Sequence, residues 1–141
     1  MSVSSLLLPV FVQVGLTFLI MLWMGKLRRE ALSSGAVQPS DIALREPKWP
    51  RRTLQVANNF QNQLELPMLF YVLVAFILIT STNSLIFVIL AWVFVLSRIV
   101  HAWIHTGSND VLQRSMALGV GAIALIVMWV IFAIRILVTG A

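Results

Sequence analysis

Long apolar runs alternate with short polar breaks along this chain, and the lengths of those runs carry the first inference. The first run extends from Leu6 to Met24, broken at Gln13, Gly15 and Thr17. A second begins near Thr53 and reaches Thr80, a third covers Leu85 to Ile104, and a fourth covers Val111 to Val138. A helix needs roughly 20 residues to cross the hydrocarbon core of a bilayer. Read with their flanks, the runs predict helices over residues 5–25, 53–80, 84–105 and 110–138, with one long loop over 26–52. "TSTN" (80–83) and "HTGSND" (105–110) read as tight connections, with Gly107 as a breaker and Asp110 as an N-cap. Pro39, Pro47 and Pro50 forbid a continuous helix through the loop, although "SDIALRE" is able to form one turn.

The second run is unusual. Its apolar part, Met68 to Ile79, is too short to span alone, and it is headed by "NNFQNQLE" (58–65) with no turn signal between the two. The sequence therefore predicts one helix that carries Asn and Gln into the membrane. Gln55, Asn58, Asn62 and Glu65 are spaced 3, 4 and 3 and form one stripe, which Asn59 and Gln63 widen to one side. Such a stripe cannot face lipid, where each unpaired amide costs several kcal/mol. It faces protein or water. Stitching between helices is one explanation, at about 0.6 kcal/mol per bond; a ligand groove is the other.

Composition agrees with the pattern. Of 141 residues, 60% are hydrophobic and 11% charged, and the mean hydropathy is +0.94. A water-soluble domain of this size cannot hide that much apolar surface, so lipid is the solvent. The expected fold is all-α, an integral membrane four-helix bundle in one domain over residues 1–141. The absence of cysteine excludes disulfides, thiolate metal sites and a Cys nucleophile. The sequence also holds no phosphate loop, metal-ligand cluster or Ser-His-Asp set.

The isoelectric point of about 11.2 does not point to nucleic acid. Seven of the ten Lys and Arg (Lys26, Arg28, Arg29, Arg45, Lys48, Arg51 and Arg52) lie between 26 and 52, where they read as topogenic and headgroup-binding charges, with Trp49 as an interfacial anchor. Together with Arg114 they place loops 26–52 and 105–110 in the cytoplasm and both termini outside a cell membrane. No basic residue precedes the first span and no cleavage site follows it, so it reads as a retained helix.

The third run carries a matching stripe, Arg98, His101 and His105, spaced 3 and 4. An intramembrane Arg faces a partner or a polar cavity. Arg114 opens the fourth run on the same side of the membrane, and Arg135 near the far end reads as a snorkelling anchor. Arg, His and amides together suit a small anionic ligand, and a pocket between subunits is easier to build than one inside so small a bundle.

At these residues the chain resembles the MAPEG family, membrane-associated proteins in eicosanoid and glutathione metabolism. The resemblance covers essentially the whole chain: four helices, a long basic first loop and a polar-headed second helix. The family's R-x-x-H element matches Arg98 and His101, and its next Arg matches Arg114. Its N-x-x-E pair falls on Asn59 and Asn62, ahead of Pro67. The resemblance implies a homotrimer that binds glutathione between subunits near the cytoplasmic face, with Asn59, Asn62, Arg98 and His101 as ligand-binding residues and Arg114 as the catalytic, thiolate-stabilising one; the two polar stripes add Glu65 and His105 to the ligand-binding candidates. The chain also departs from the pattern. Gln55, Val56 and Ala57 replace R-A-H, Asn62 replaces Glu, and His105 and Leu118 stand in place of two Tyr, a form similar to a divergent, bacterial-type branch. Three functions stay open: a glutathione-dependent transferase or peroxidase acting on lipophilic substrates, a non-catalytic binder of a small anion or lipid, and a structural trimer.

Overall fold

The computed structural model describes residues 1–44 and 48–140, so Arg45 and Pro47 of the loop reading lie outside the described residues. Five α-helices follow in order: α1 (Val3–Ser33), α2 (Arg51–Gln63), α3 (Leu66–Ile79), α4 (Leu85–Thr106) and α5 (Val111–Thr139), with a 3-10 turn at Pro39–Ile42. With α2 and α3 taken together, four segments are long and apolar enough to cross a membrane. The protein is a multi-pass membrane protein. Its surface is what lipid requires: Leu22, Ile79, Trp103 and Leu137 are all largely exposed.

Two boundaries differ from the sequence reading. The first helix does not stop near residue 25 but continues to Ser33. Gly25 alone is a weak breaker, while Lys26 to Leu32 are good helix formers and Lys26 and Glu30 pair across one turn at 3.9 Å. The helix ends at Ser34, followed by Gly35 in the left-handed region at φ 76°.

The second difference matters more. The expected single helix over 53–80 is broken at Leu64 and Glu65, where Glu65 takes φ −93° and ψ −101°. Pro67 is the cause. It has no N–H to give to the carbonyl of Gln63, and its ring clashes with that carbonyl in a continuous helix. The carbonyl of Asn62 receives the Glu65 N–H at 3.4 Å and the Arg98 Nη2 at 3.0 Å. Arg98 is fully buried, and a cation at a helix C-terminus also complements the macrodipole.

The other end of α2 returns the favour. Arg52 donates to the carbonyl of Thr106, and Gln55 Nε2 donates to the carbonyls of His105 (2.8 Å) and Gly107 (3.1 Å). These are the orphan carbonyls at the end of α4. Arg52 is further stacked on Trp23 of α1 at 4.9 Å. α2 and α4 thus cap each other's C-termini.

Between these caps runs a buried amide chain. Gln13 Nε2 of α1 donates to Gln63 Oε1 (2.8 Å), Gln63 Nε2 to Asn59 Oδ1 (3.3 Å), and Asn59 Nδ2 meets His105 Nδ1 (3.1 Å). With its oxygen already accepting, Asn59 offers an N–H to His105, which leaves the ring proton of a neutral His105 on Nε2.

The apolar core lies toward the opposite end. Phe70, Leu73 and Ile77 of α3 pack with Phe87, Phe94 and Val95 of α4 and with Leu125, Met128 and Phe132 of α5. α4 and α5 approach closely at Gly121, where an added Cβ would collide with Ser97 Oγ. Arg135 is more than a snorkelling anchor: its Nη1 donates to the carbonyl of Thr82 (3.0 Å) and its guanidinium lies over Phe87 (5.1 Å), tying the turn between α3 and α4 to α5.

Removing the Arg98 cap tests this account of the break. Arg98→Leu should lower stability in detergent by about 1–3 kcal/mol, because it removes the charged donor and leaves the Asn62 carbonyl with the long 3.4 Å contact from the Glu65 N–H alone. Adding Pro67→Ala, which lets the helix supply its own donors, should recover part of that loss in thermal unfolding followed by circular dichroism. Equal melting for wild type and Arg98→Leu would refute the capping role.

Candidate functional site

The two C-terminal caps leave a polar recess at the basic end of the bundle. It has a volume of about 320 Å³ and is lined by Asn58 and Asn62 of α2, His101 and His105 of α4, and Arg114, Ser115 and Leu118 of α5. A smaller hollow of about 140 Å³ adjoins it, sharing Asn58, His105 and Arg114 and adding Gln55 and Asn109.

Each wall has a local cause. Asn58 and Asn62 lie four apart on one side of α2, with Asn58 exposed and Asn62 half-buried. His101 and His105, also four apart, have ring centroids 5.4 Å apart and tilted by 69°. His101 Nδ1 is buried without a hydrogen-bond partner among the described residues, whereas His105 Nδ1 is held by Asn59. Arg114 sits in the first turns of α5, whose N-cap Asp110 accepts the Gln113 N–H (2.9 Å). Its Nη1 is steered by Asn109 Oδ1, and Asn109 takes the left-handed conformation at φ 55°.

The recess carries positive potential from two sources. Arg114 is one, and the N-terminus of α5 is the other. A cation at a helix N-terminus opposes the macrodipole and costs stability, so the two together favour an anion in the recess. Two imidazoles, two primary amides and the Ser115 hydroxyl supply further donors and acceptors.

Of the residues singled out in the sequence, Asn62, His101, His105 and Arg114 come together here. Three stand elsewhere in the single chain. Asn59 is fully buried in the amide chain behind His105. Arg98 is equally buried and reaches the recess only through the Asn62 backbone. Glu65 is exposed at the helix break and does not line the recess. Asn58 belonged to the polar stripe but was not singled out for ligand binding, and Ser115 carried no signal beyond its place next to Arg114.

A second recess lies along the same side of α5. Leu66 and Leu69 of α3 and Ala122, Leu125, Ile126, Trp129 and Val130 of α5 enclose about 430 Å³ of almost wholly apolar space. Ser115, Leu118, Ala122, Leu125 and Trp129 recur at steps of three and four, so one face of α5 runs from the polar recess into the apolar one.

Comparison with known proteins identifies the family. No curated protein matches the chain, and no solved structure matches it. The model of the MAPEG family matches residues 6–134, which takes in all or most of each of the four spans and every residue of the polar recess. With nearly the full length matched, the chain belongs to the MAPEG family.

Proposed function

We propose that this protein binds glutathione in the polar recess and uses it on lipophilic substrates, as a transferase or peroxidase working at the membrane. The observation that carries this reading is the continuity of the α5 face. Arg114 and Ser115 meet a small anion at one end, and the apolar space beside Trp129 accommodates a lipophilic partner further along. Arg114 would favour the thiolate over the thiol by charge proximity, and the thiolate is the nucleophile. Asn58 and Asn62 would hold peptide groups of the tripeptide, with His105 Nε2–H as a further donor toward a carboxylate.

One observation favours the alternative of a non-catalytic anion or lipid binder. Leu118 lines the recess, so the hydroxyl that a Tyr would supply there is missing, and Ser115 is the one side-chain hydroxyl in its wall. Calorimetry with glutathione, together with thiolate absorbance in the ultraviolet, separates the readings. Saturable binding with thiolate formation is expected, and Arg114→Leu should weaken it roughly ten- to a hundred-fold and abolish the absorbance. Binding without thiolate would establish the non-catalytic reading, and no binding would sink both as far as glutathione is concerned.

The same reading includes a homotrimer. Asn58, Gln61 and Glu65 are exposed in the single chain although they fall within a membrane-spanning segment. Neighbouring copies would remove them from lipid. Mass measurement in detergent should give three copies, and Asn58→Leu with Asn62→Leu should shift the oligomer or its stability. A monomeric wild type would remove the inter-subunit site.

The basic end would face the cytoplasm of a cell membrane, with both termini outside. The native chain lacks cysteine, so Ala36→Cys gives a single reporter. A membrane-impermeant thiol reagent should leave it unlabelled in intact cells and label it after lysis. Labelling in intact cells would reverse the orientation.

A further inference from the structure

A larger slot than the polar recess opens on the other side of α2. It encloses about 670 Å³ between the end of α1, the loop beside the 3-10 turn and α2, and shares only Asn58 with the recess. Its walls are Met24, Ile42, Leu54 and Phe60, with Arg28 and Trp49. The volume lies within the range of small-molecule sites.

We propose that this slot binds a membrane phospholipid with an anionic headgroup, whose phosphate meets Arg28 and whose upper acyl chain lies against the apolar walls. Arg28 supplies the first argument. Its Nε is buried and has no hydrogen-bond partner among the described residues, a state that an anionic oxygen relieves. Its guanidinium lies over the Trp49 ring at 5.1 Å, and a guanidinium keeps its N–H donors at its edge, where a phosphate can accept from them.

Depth supplies the second argument. Met24 closes the apolar run of α1 and Arg28 stands one turn beyond it, the level at which aromatic and basic residues meet headgroups. Lys26, Arg29, Arg51 and Arg52 share this end of the bundle, and a basic cluster next to a span selects anionic lipid. The apolar walls decide between a lipid and a soluble anion. Free phosphate would leave the half-buried Ile42, Leu54 and Phe60 uncovered, and Leu44 and Leu64, which also line the slot, are exposed at 74% and 46%. An acyl chain covers them. The assignment rests on none of the cationic or imidazole residues of the polar recess and holds whether or not glutathione binds there.

Tryptophan quenching by phospholipids brominated in the upper acyl chain tests it on the whole protein in neutral detergent. The Trp49 contribution is the difference from Trp49→Phe. Phosphatidylglycerol should quench Trp49 at concentrations about ten-fold below phosphatidylcholine. Arg28→Gln should erase that preference, while Arg29→Gln, which removes an exposed charge from the same helix end, should largely keep it. Equal losses in the two variants would mean diffuse surface charge and overturn the proposal. So would displacement of phosphatidylglycerol by inorganic phosphate or glutathione, which would identify a soluble-anion site. Ala43→Phe, in the loop wall of the slot, leaves Arg28 in place and guards against a folding artefact. It should expel the lipid; undiminished quenching of Trp49 in that variant would place the lipid elsewhere and defeat the assignment.

Discussion

A helix that ends inside a membrane has carbonyls with no water to receive them, and this bundle is organised around that difficulty. Pro67 breaks the second span, and Arg98 donates to the Asn62 carbonyl thus exposed. The carbonyls at the end of α4, beside the 105–110 turn at the basic end of the bundle, are met by Arg52 and Gln55 from the start of α2. Each helix closes the other, which fixes their antiparallel register at two points separated by most of the length of α2. An unsatisfied backbone group in lipid costs several kcal/mol, so these contacts set the register more firmly than apolar packing alone does.

The polar head of the second span divides into two sides with different work. Asn59 and Gln63 turn inward and join α1, α2 and α4 through a chain of amides from Gln13 to His105. Bonds of this kind contribute modestly to membrane stability, about 0.6 kcal/mol each on average. They also fix orientation, and His105 is held at Nδ1 with its other nitrogen left to the recess. Asn58 and Asn62 take the other side and meet Arg114 across open space. The first pair stitches helices together, and the second lines an open recess.

Charge placement follows the same economy. Arg98 and Arg135 each donate to a backbone carbonyl, and Arg52 is tied to a carbonyl and an indole. Arg98 also keeps its buried Nε and Nη1, and Arg28 its buried Nε, without hydrogen-bond partners among the described residues. Arg114 stands in an open recess at a helix N-terminus that disfavours it.

Hydrophobic run length alone determined the class: four spans, two tight turns and Asp110 as the N-cap of α5 were all legible in the sequence. The reason is that lipid imposes one rule on every spanning segment, and run length reports it directly. Residue spacing also placed Arg98, His101 and His105 on one buried face of α4. Spacing did not reveal which of them a ligand can reach. Arg98 and Asn59 are buried behind the recess while Asn58 and Ser115 line it, because exposure depends on the rotation of each helix against its neighbours. The sequence reading runs one helix over 53–80 and misses the break before Pro67, and only the packing of α4 against α2 brings Arg98 to the Asn62 carbonyl at that break.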